Sequence, residues 1–196
     1  SASAGSQINL GTAFPGKLGE PLNLRDLEQG LENLQRVPTV NADMQIAPGQ
    51  TPGHSDIAVT WKPDRAWRLG LSLDDAGSDT TGRYQAGATL SADNPLGLSD
   101  LAYVSLTRGF GGSDGTSPKG TQAIALHYSV PVGYWLYRAN ASHNTYHQTV
   151  DGAYDRCRYS GRSDNLDLGI DRVLLRDNRQ ILTAQTSLQR RTSRNH

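Results

Sequence analysis

The most constraining stretch of this chain runs from Ala66 to Asp100, where apolar and polar residues alternate one for one. Trp67, Leu69, Leu71 and Leu73 are interleaved with Arg68, Gly70, Ser72 and Asp74. Tyr84, Ala86, Ala88, Leu90 and Ala92 are interleaved with Gln85, Gly87, Thr89, Ser91 and Asp93. Successive side chains on a strand leave opposite faces, so the spacing predicts two strands, each with one apolar and one polar face. A half-buried soluble sheet has this pattern. So does a transmembrane β-barrel, with lipid outside and water inside.

The same pattern continues downstream. Strands are expected over Asp100–Arg108 and Thr121–Val130, then over a segment in which Trp135, Tyr137, Ala139 and Ala141 alternate with Leu136, Arg138, Asn140 and Ser142. A sixth sets Leu166, Leu168 and Ile170 against Asn165, Asp167, Gly169 and Asp171, and a seventh begins at Ile181. The connections NPLGLS, PVG and RDNR are short, whereas GFGGSDGTSPKG and a polar loop from Gln148 to Arg162 are long. Outer-membrane barrels alternate short periplasmic turns with longer external loops, and their strands run about ten residues. Trp67, Tyr128, Tyr134 and Trp135 fall beside the short-turn end, where an aromatic girdle is expected. Many apolar-face positions are only Ala, which suits lipid contact better than a two-sheet core. An open sheet of about seven strands leaves unpaired edges in lipid, so the remaining strands of a larger barrel are expected elsewhere.

Composition removes several alternatives. Lys+Arg 19 balance Asp+Glu 19, which gives no electrostatic case for a nucleic-acid partner. The mean hydropathy of -0.56 is polar and no apolar run of about 18 residues occurs, so a membrane-spanning helix is excluded while a barrel is not. The single Cys157 forms no intramolecular disulfide and sits in a polar, loop-like setting. SASAGSQINL lacks the features of a signal peptide, as a mature chain or a fragment would.

The N-terminal third reads differently. Ile8–Gly19 suggests a short helix or turn ending at Pro15. Asn23 is placed to cap a helix in which Leu24, Leu27, Leu31 and Leu34 share one face, and Pro38 terminates it. Gly30 counts as a local weakness of about 1 kcal/mol against Ala. Two strands follow, Thr39–Ala47 and Asp56–Lys62.

Residues 20–59, EPLNLRDLEQGLENLQRVPTVNADMQIAPGQTPGHSDIAV, resemble the second POTRA domain of two-partner secretion transporters of the Omp85 superfamily. WRLGLSLDDAGSDTTGRYQAGATLSADNPLGLSD, HYSVPVGYW and YSGRSDNLDLGIDRVLLRD resemble the opening strands of their barrel. The resemblance implies a β-dominated chain: a partial α+β POTRA module over residues 1–63, then over 64–196 the first half of a barrel that is 16-stranded when complete. It implies a Gram-negative outer-membrane protein with its POTRA module in the periplasm. Its partners are outer-membrane lipid and one large β-helical exoprotein, exported unfolded and recognised through its N-terminal secretion domain. By family resemblance the strand at Thr39–Ala47 is an edge, so the helix and that strand become the candidate substrate site: Leu24, Leu27, Leu31, Val40, Asn41, Ala42, Asp43, Met44 and Gln45. Arg68, Arg83, Asp93, Arg138, Asp167 and Asp171 are the candidate pore-lining set, with mixed signs suited to a varied polypeptide. Thr107-Arg108-Gly109-Phe110 superficially fits the family's pore-loop motif but follows an early strand, and that role is not carried over.

No catalytic constellation is found, and no cofactor or metal is expected. His143 and His147 flank an expected strand end without further ligands, and Asp74 with Asp75 sits at a turn. GFGGSDG lacks the Lys-Ser/Thr and helix of a phosphate-binding loop. Against the protein-translocating pore stand three other readings: an Omp85-type barrel-assembly insertase, an outer-membrane barrel enzyme, and a soluble β-rich binding module. The enzyme needs a Ser/His pair at the rim, and Ser142 and His143 are adjacent strand residues that face opposite sides.

Overall fold

The computed structural model describes residues 9–16, 19–52, 54–75, 83–110, 120–151, 156–177 and 179–195. Helices α1 (Leu10–Ala13) and α2 (Leu24–Gln35) pack against a two-stranded antiparallel ribbon, β1 (Val40–Pro48) and β2 (Ser55–Pro63). Seven further strands follow: β3 (Trp67–Asp74), β4 (Tyr84–Asp93), β5 (Leu101–Phe110), β6 (Gly120–Val132), β7 (Trp135–Asp151), β8 (Arg156–Arg176) and β9 (Ile181–Asn195). They pair in chain order as one antiparallel sheet, open at β3 and β9 among the described residues.

The helices form where their caps say they should. The Asn9 side chain accepts from the Gly11 N–H and the Asn23 side chain from the Arg25 N–H, each at 3.0 Å, satisfying first-turn donors that the helix leaves free. Ala13, Leu34 and Ala42 form the buried centre of the module, with Phe14, Leu31, Val40, Val59 and Trp61 packed around it. Gly30 is the seat of the Phe14 ring. A Cβ there would lie 2.1 Å from the ring, so the residue that costs helix propensity is the one that lets α1 reach α2.

In the sheet, one apolar row crosses from strand to strand without a break. Leu69 faces Leu90, Leu90 faces Val104, Val104 faces Leu126, Leu126 faces Ala141 and Ala141 faces Leu166. This face is uncovered: Leu71 is 77% and Leu188 74% exposed. A water-facing surface leaves such side chains short of about 1.5–3 kcal/mol each in burial, whereas lipid supplies it. The opposite face is mainly polar, with Leu101, Tyr103 and Leu136 set among its polar residues.

Three expectations change. The segment expected as a loop from Gln148 to Arg162 is mostly strand, since β7 and β8 stay paired out to Asp151 opposite Arg156. The sequence there has no regular apolar–polar alternation to mark it, and the ladder is one of backbone pairing. The long GFGGSDGTSPKG connection lies largely outside the described residues, although β5 runs on to Phe110. Tyr134 belongs to the β6–β7 turn and points at α2 instead of joining a girdle: its hydroxyl donates to Asp26 Oδ1 at 2.5 Å. His143 and His147 lie within β7, about 13 Å apart along the strand, and His143 Nδ1 is 2.5 Å from Asp164 Oδ1. No metal-holding cluster occurs among the described residues.

Candidate functional site

The β1–β2 ribbon has one open edge that the backbone geometry defines. Asp64 N–H donates to Thr39 O and Gly49 N–H to His54 O, both at 2.9 Å, at opposite ends of the register that pairs Asn41 with Lys62 and Gln45 with Ala58. In an antiparallel pair the hydrogen-bonded positions alternate. The N–H groups of Asn41, Asp43 and Gln45 therefore point into β2, and those of Ala42, Met44 and Ile46 point out. Side chains already occupy part of this edge: Gln35 Nε2 donates to Ala42 O at 2.9 Å, and Asp43 Oδ1 accepts from Met44 N–H at 2.8 Å. Beyond α2 the edge runs from Met44, whose N–H Asp43 takes, to Pro48, which has none, so its outward donor is the N–H of exposed Ile46.

This sorts the expected substrate residues. Leu27 and Ala42 are buried, and Leu31 and Val40 are packed against the core, so these four support the module from beneath. Leu24, Asn41, Asp43 and Gln45 are exposed, and Met44 is half-buried. The donors open to an added strand thus belong to the even positions and not to Asn41 or Asp43. The alternation of narrow and wide pairs depends on where the ladder starts, which composition does not reveal.

Below the sheet, the module is joined to its short turns by a polar seam that sequence reading missed. Asn9 N–H donates to Gly97 O at 2.9 Å in the β4–β5 turn, and Gly133 N–H donates to Thr12 O at 2.8 Å. Asn33, 5% exposed, donates from Nδ2 to Ala13 O at 2.7 Å and to Gly133 O at 2.8 Å. Gln29 Nε2 donates to Asn33 Oδ1 at 3.1 Å and fixes that orientation. Gly133 has φ +57, and a Cβ there would sit 3.4 Å from Pro15 Cα. Arg176 pairs with Glu32, and Arg36 donates to Ser129 Oγ. Burial, with the nearby Arg138 charge, lowers the Arg36 pKa. Burial and then the hydrogen bond to Asp26 push the Tyr134 phenol up to about 12. The available signal was Gln29 and Asn33, four apart on a helix whose leucines define another face. Such residues ordinarily face water.

The β4–β5 turn that receives Asn9 is itself rigid. Asn94 and Ser99 both have φ 57, the Asn94 side chain accepts from Ser99 N–H at 2.8 Å, and buried Asp100 accepts from Leu96 N–H at 3.2 Å.

The polar strand face carries the expected lining residues as matched pairs. Arg68 holds Asp93 with two bonds of 3.0 Å, and Thr39 adds a 2.7 Å bond to the same carboxylate from the module. Arg138 bonds Asp171 at 2.7 Å, and Asn140 bonds Asp167 at 2.9 Å. His127 lies 2.6 Å from Asn140 and stacks on Tyr103 at 4.7 Å. Arg83 stands apart, exposed, just before β4. Arg108 lies on the opposite, apolar face, across from Ala86 and Gln122.

A family profile described as haemolysin secretion/activation protein ShlB/FhaC/HecB matches residues 53–196, and a POTRA-domain profile matches residues 1–48. The outer membrane transporter CdiB-2 of Burkholderia pseudomallei is 38% identical over 180 residues, 92% of this chain and 30% of that protein. The hemolysin transporter protein ShlB of Serratia marcescens is 31% identical over 174 residues, 89% of this chain and 31% of that protein. Among solved structures, CdiB from Escherichia coli superimposes with a TM-score of 0.87 at 34% identity, covering 95% of this chain and 34% of that one. The chain thus spans about a third of the length of the relatives it matches. An α+β module seamed to an amphipathic antiparallel sheet, matched by both profiles, places the chain in the ShlB/FhaC/HecB family of two-partner secretion transporters.

Proposed function

We propose that the whole protein is an outer-membrane translocation pore that secretes one large β-helical exoprotein of the haemagglutinin, haemolysin or adhesin type. The POTRA module stands in the periplasm and captures the exoprotein through its N-terminal secretion domain. The supporting observation is the open β1 edge, held by the Asn33 seam in a fixed position beside the polar face of the sheet. An extended segment adds to Met44–Pro48 through backbone hydrogen bonds, which read little of its sequence. It then passes along the polar face lined by Arg68, Arg83, Asp93, Arg138, Asp167 and Asp171. Because these charges largely neutralise one another in pairs, neither acidic nor basic stretches are trapped. The relatives' names describe transporters, which favours secretion over an insertase or an enzyme.

Proline at Ile46 tests the capture step. It removes an outward N–H without breaking the β1–β2 ladder, and an edge tolerates it. Loss of one backbone hydrogen bond, about 0.5–1.5 kcal/mol net, should weaken binding of the secretion domain by about twofold to tenfold. Ile46→Ala keeps the N–H and should bind more tightly than Ile46→Pro. Equal affinities in two folded full-length variants would mean that side chains carry recognition and the edge does not.

A further inference from the structure

The apolar face ends in a basic cluster at the long-connection end of β8 and β9. Arg162 lies directly opposite Arg194, and Arg190 directly opposite Leu166. All three arginines are exposed and share the face of Leu166, Leu168 and Leu188. Like charges directly opposite in a ladder repel, so this pairing is unfavourable unless an anion sits on it. Among the described side chains Asp164 is the carboxylate that acts on both Arg162 and Arg194, and it is already bonded to His143.

Beside the cluster is a groove. Ile124, Leu126, Ala141 and Leu166 line its apolar part, the bonded His143–Asp164 pair, Arg190 and Thr192 its polar rim, and its volume is ≈ 420 Å³. Its small floor residue, Ala141, lies between Leu126 and Leu166 in the register, which is what makes the depression. An apolar trough rimmed by Arg190, with the Arg162–Arg194 pair one same-face position beyond Asp164 and Thr192, fits an amphiphile with an acyl chain and a phosphate.

The height of the cluster selects the leaflet. Arg172, stacked over Trp135 at 4.6 Å, marks the short-turn border of the apolar face. Arg162 lies ten residues further along the same strand. At about 3.3 Å per residue and a tilt of about 40°, the two are separated by about 25 Å along the barrel axis, the height of an outer-membrane apolar band. Arg162 and Arg194 therefore sit at the opposite border, at headgroup depth, and Arg190, level with Leu166, starts about 10 Å below it, from where a long side chain snorkels toward the headgroups.

We infer that Arg162, Arg190 and Arg194 hold the phosphates of a lipopolysaccharide molecule, one acyl chain of which lies in the groove beside Leu166. This rests on the proposed orientation, with the module in the periplasm and the long connections outside. Arginine suits the task because its planar donors meet phosphate oxygens in pairs. The bound lipid relieves the Arg162–Arg194 repulsion and fixes the upper edge of the sheet in the outer leaflet.

The test measures binding of bis-phosphorylated lipid A to the full-length protein in detergent by native mass spectrometry. The triple variant Arg162→Gln, Arg190→Gln, Arg194→Gln should bind at least about tenfold more weakly, the loss expected when charged hydrogen bonds to phosphate are removed. Arg191→Gln, on the polar face, where Arg191 Nε lies 3.4 Å from Ser163 Oγ, should bind as the wild type does. Dephosphorylated lipid A should bind the wild type as weakly as the triple variant binds lipid A. Undiminished binding by the triple variant, an equal loss in Arg191→Gln, or equally tight binding of phosphatidylglycerol each overturns the assignment. If the triple glutamine variant does not fold, the triple lysine variant and single Arg194→Gln replace it, with lysine retaining lipid and Arg194→Gln losing part of it. Heat-modifiability in outer-membrane fractions is scored separately. Protein that folds there but ignores lipid A refutes this site alone, whereas protein that never reaches the outer membrane refutes the orientation and the transporter reading.

Discussion

Replacing Asn33 should loosen the seam between module and sheet while leaving the strands intact. Its Nδ2 serves two carbonyls, Ala13 O and Gly133 O, at 2.7 and 2.8 Å, and its Oδ1 takes the Gln29 amide at 3.1 Å. Asn33→Leu keeps the branching and the number of heavy atoms but removes every one of these bonds. Each buried group left unpaired costs about 1–3 kcal/mol, so two stranded carbonyls give about 2–6 kcal/mol if no water enters. Asn33→Asp should be worse at neutral pH, because a carboxylate then faces two carbonyl oxygens and donates nothing. The readout is hydrogen exchange in the full-length protein at Gly133, whose N–H is bonded to Thr12 O. Protection there should drop about 30-fold or more, following the factor of ten per 1.4 kcal/mol. Exchange inside β6 and β7 should stay at its wild-type rate, since those bonds are made strand to strand. Unchanged protection at Gly133 in a folded Asn33→Asp protein would refute the claim that this residue joins the two parts.

Charge placed on the apolar face should separate from charge placed on the polar face. Leu71→Arg, if Leu71 lies near the bilayer midplane, should destabilise the folded barrel by about 2–4 kcal/mol, while Ser72→Arg is tolerated. Heat-modifiable folding in vesicles measures both, and equal tolerance would reject the face assignment. Gly30→Ala tests the Phe14 contact. Ala raises helix propensity by about 1 kcal/mol, yet a Cβ 2.1 Å from the ring forces Phe14 out. A net loss of about 1–3 kcal/mol is expected from overpacking. Limited proteolysis of the module reports it, and a more resistant Gly30→Ala protein would mean that the ring sits elsewhere.

Much of the architecture was legible because it is written in local periods and caps. The period-two alternation of Trp67, Leu69, Leu71 and Leu73 against Arg68, Gly70 and Ser72 sets strand and face together, since the pleat forces neighbours apart. Asn23 names the start of α2 because its short side chain can reach a first-turn N–H. The NPLGLSD turn was visible as a break in that alternation, and the left-handed backbone of Asn94 and Ser99 is its physical form.

Tertiary structure decided what depends on a partner far along the chain. Asn33 is buried only because the β6–β7 turn, 100 residues away, arrives at its amide. Tyr134, an aromatic residue beside a membrane face, becomes a clamp on Asp26 because the turn places its hydroxyl over α2. Gly30 reads as a flaw in a helix until Phe14 is laid on it. The polar face offered charges of both signs, but their partners follow from register: Arg68 finds Asp93 and Arg138 finds Asp171 through side chains spanning neighbouring strands. Register likewise set the outward N–H groups of β1 at the even positions, a choice with no side-chain signature. Side-chain period belongs to a single strand and can be read from it, whereas hydrogen-bond phase and charge pairing belong to two strands and exist only once they meet.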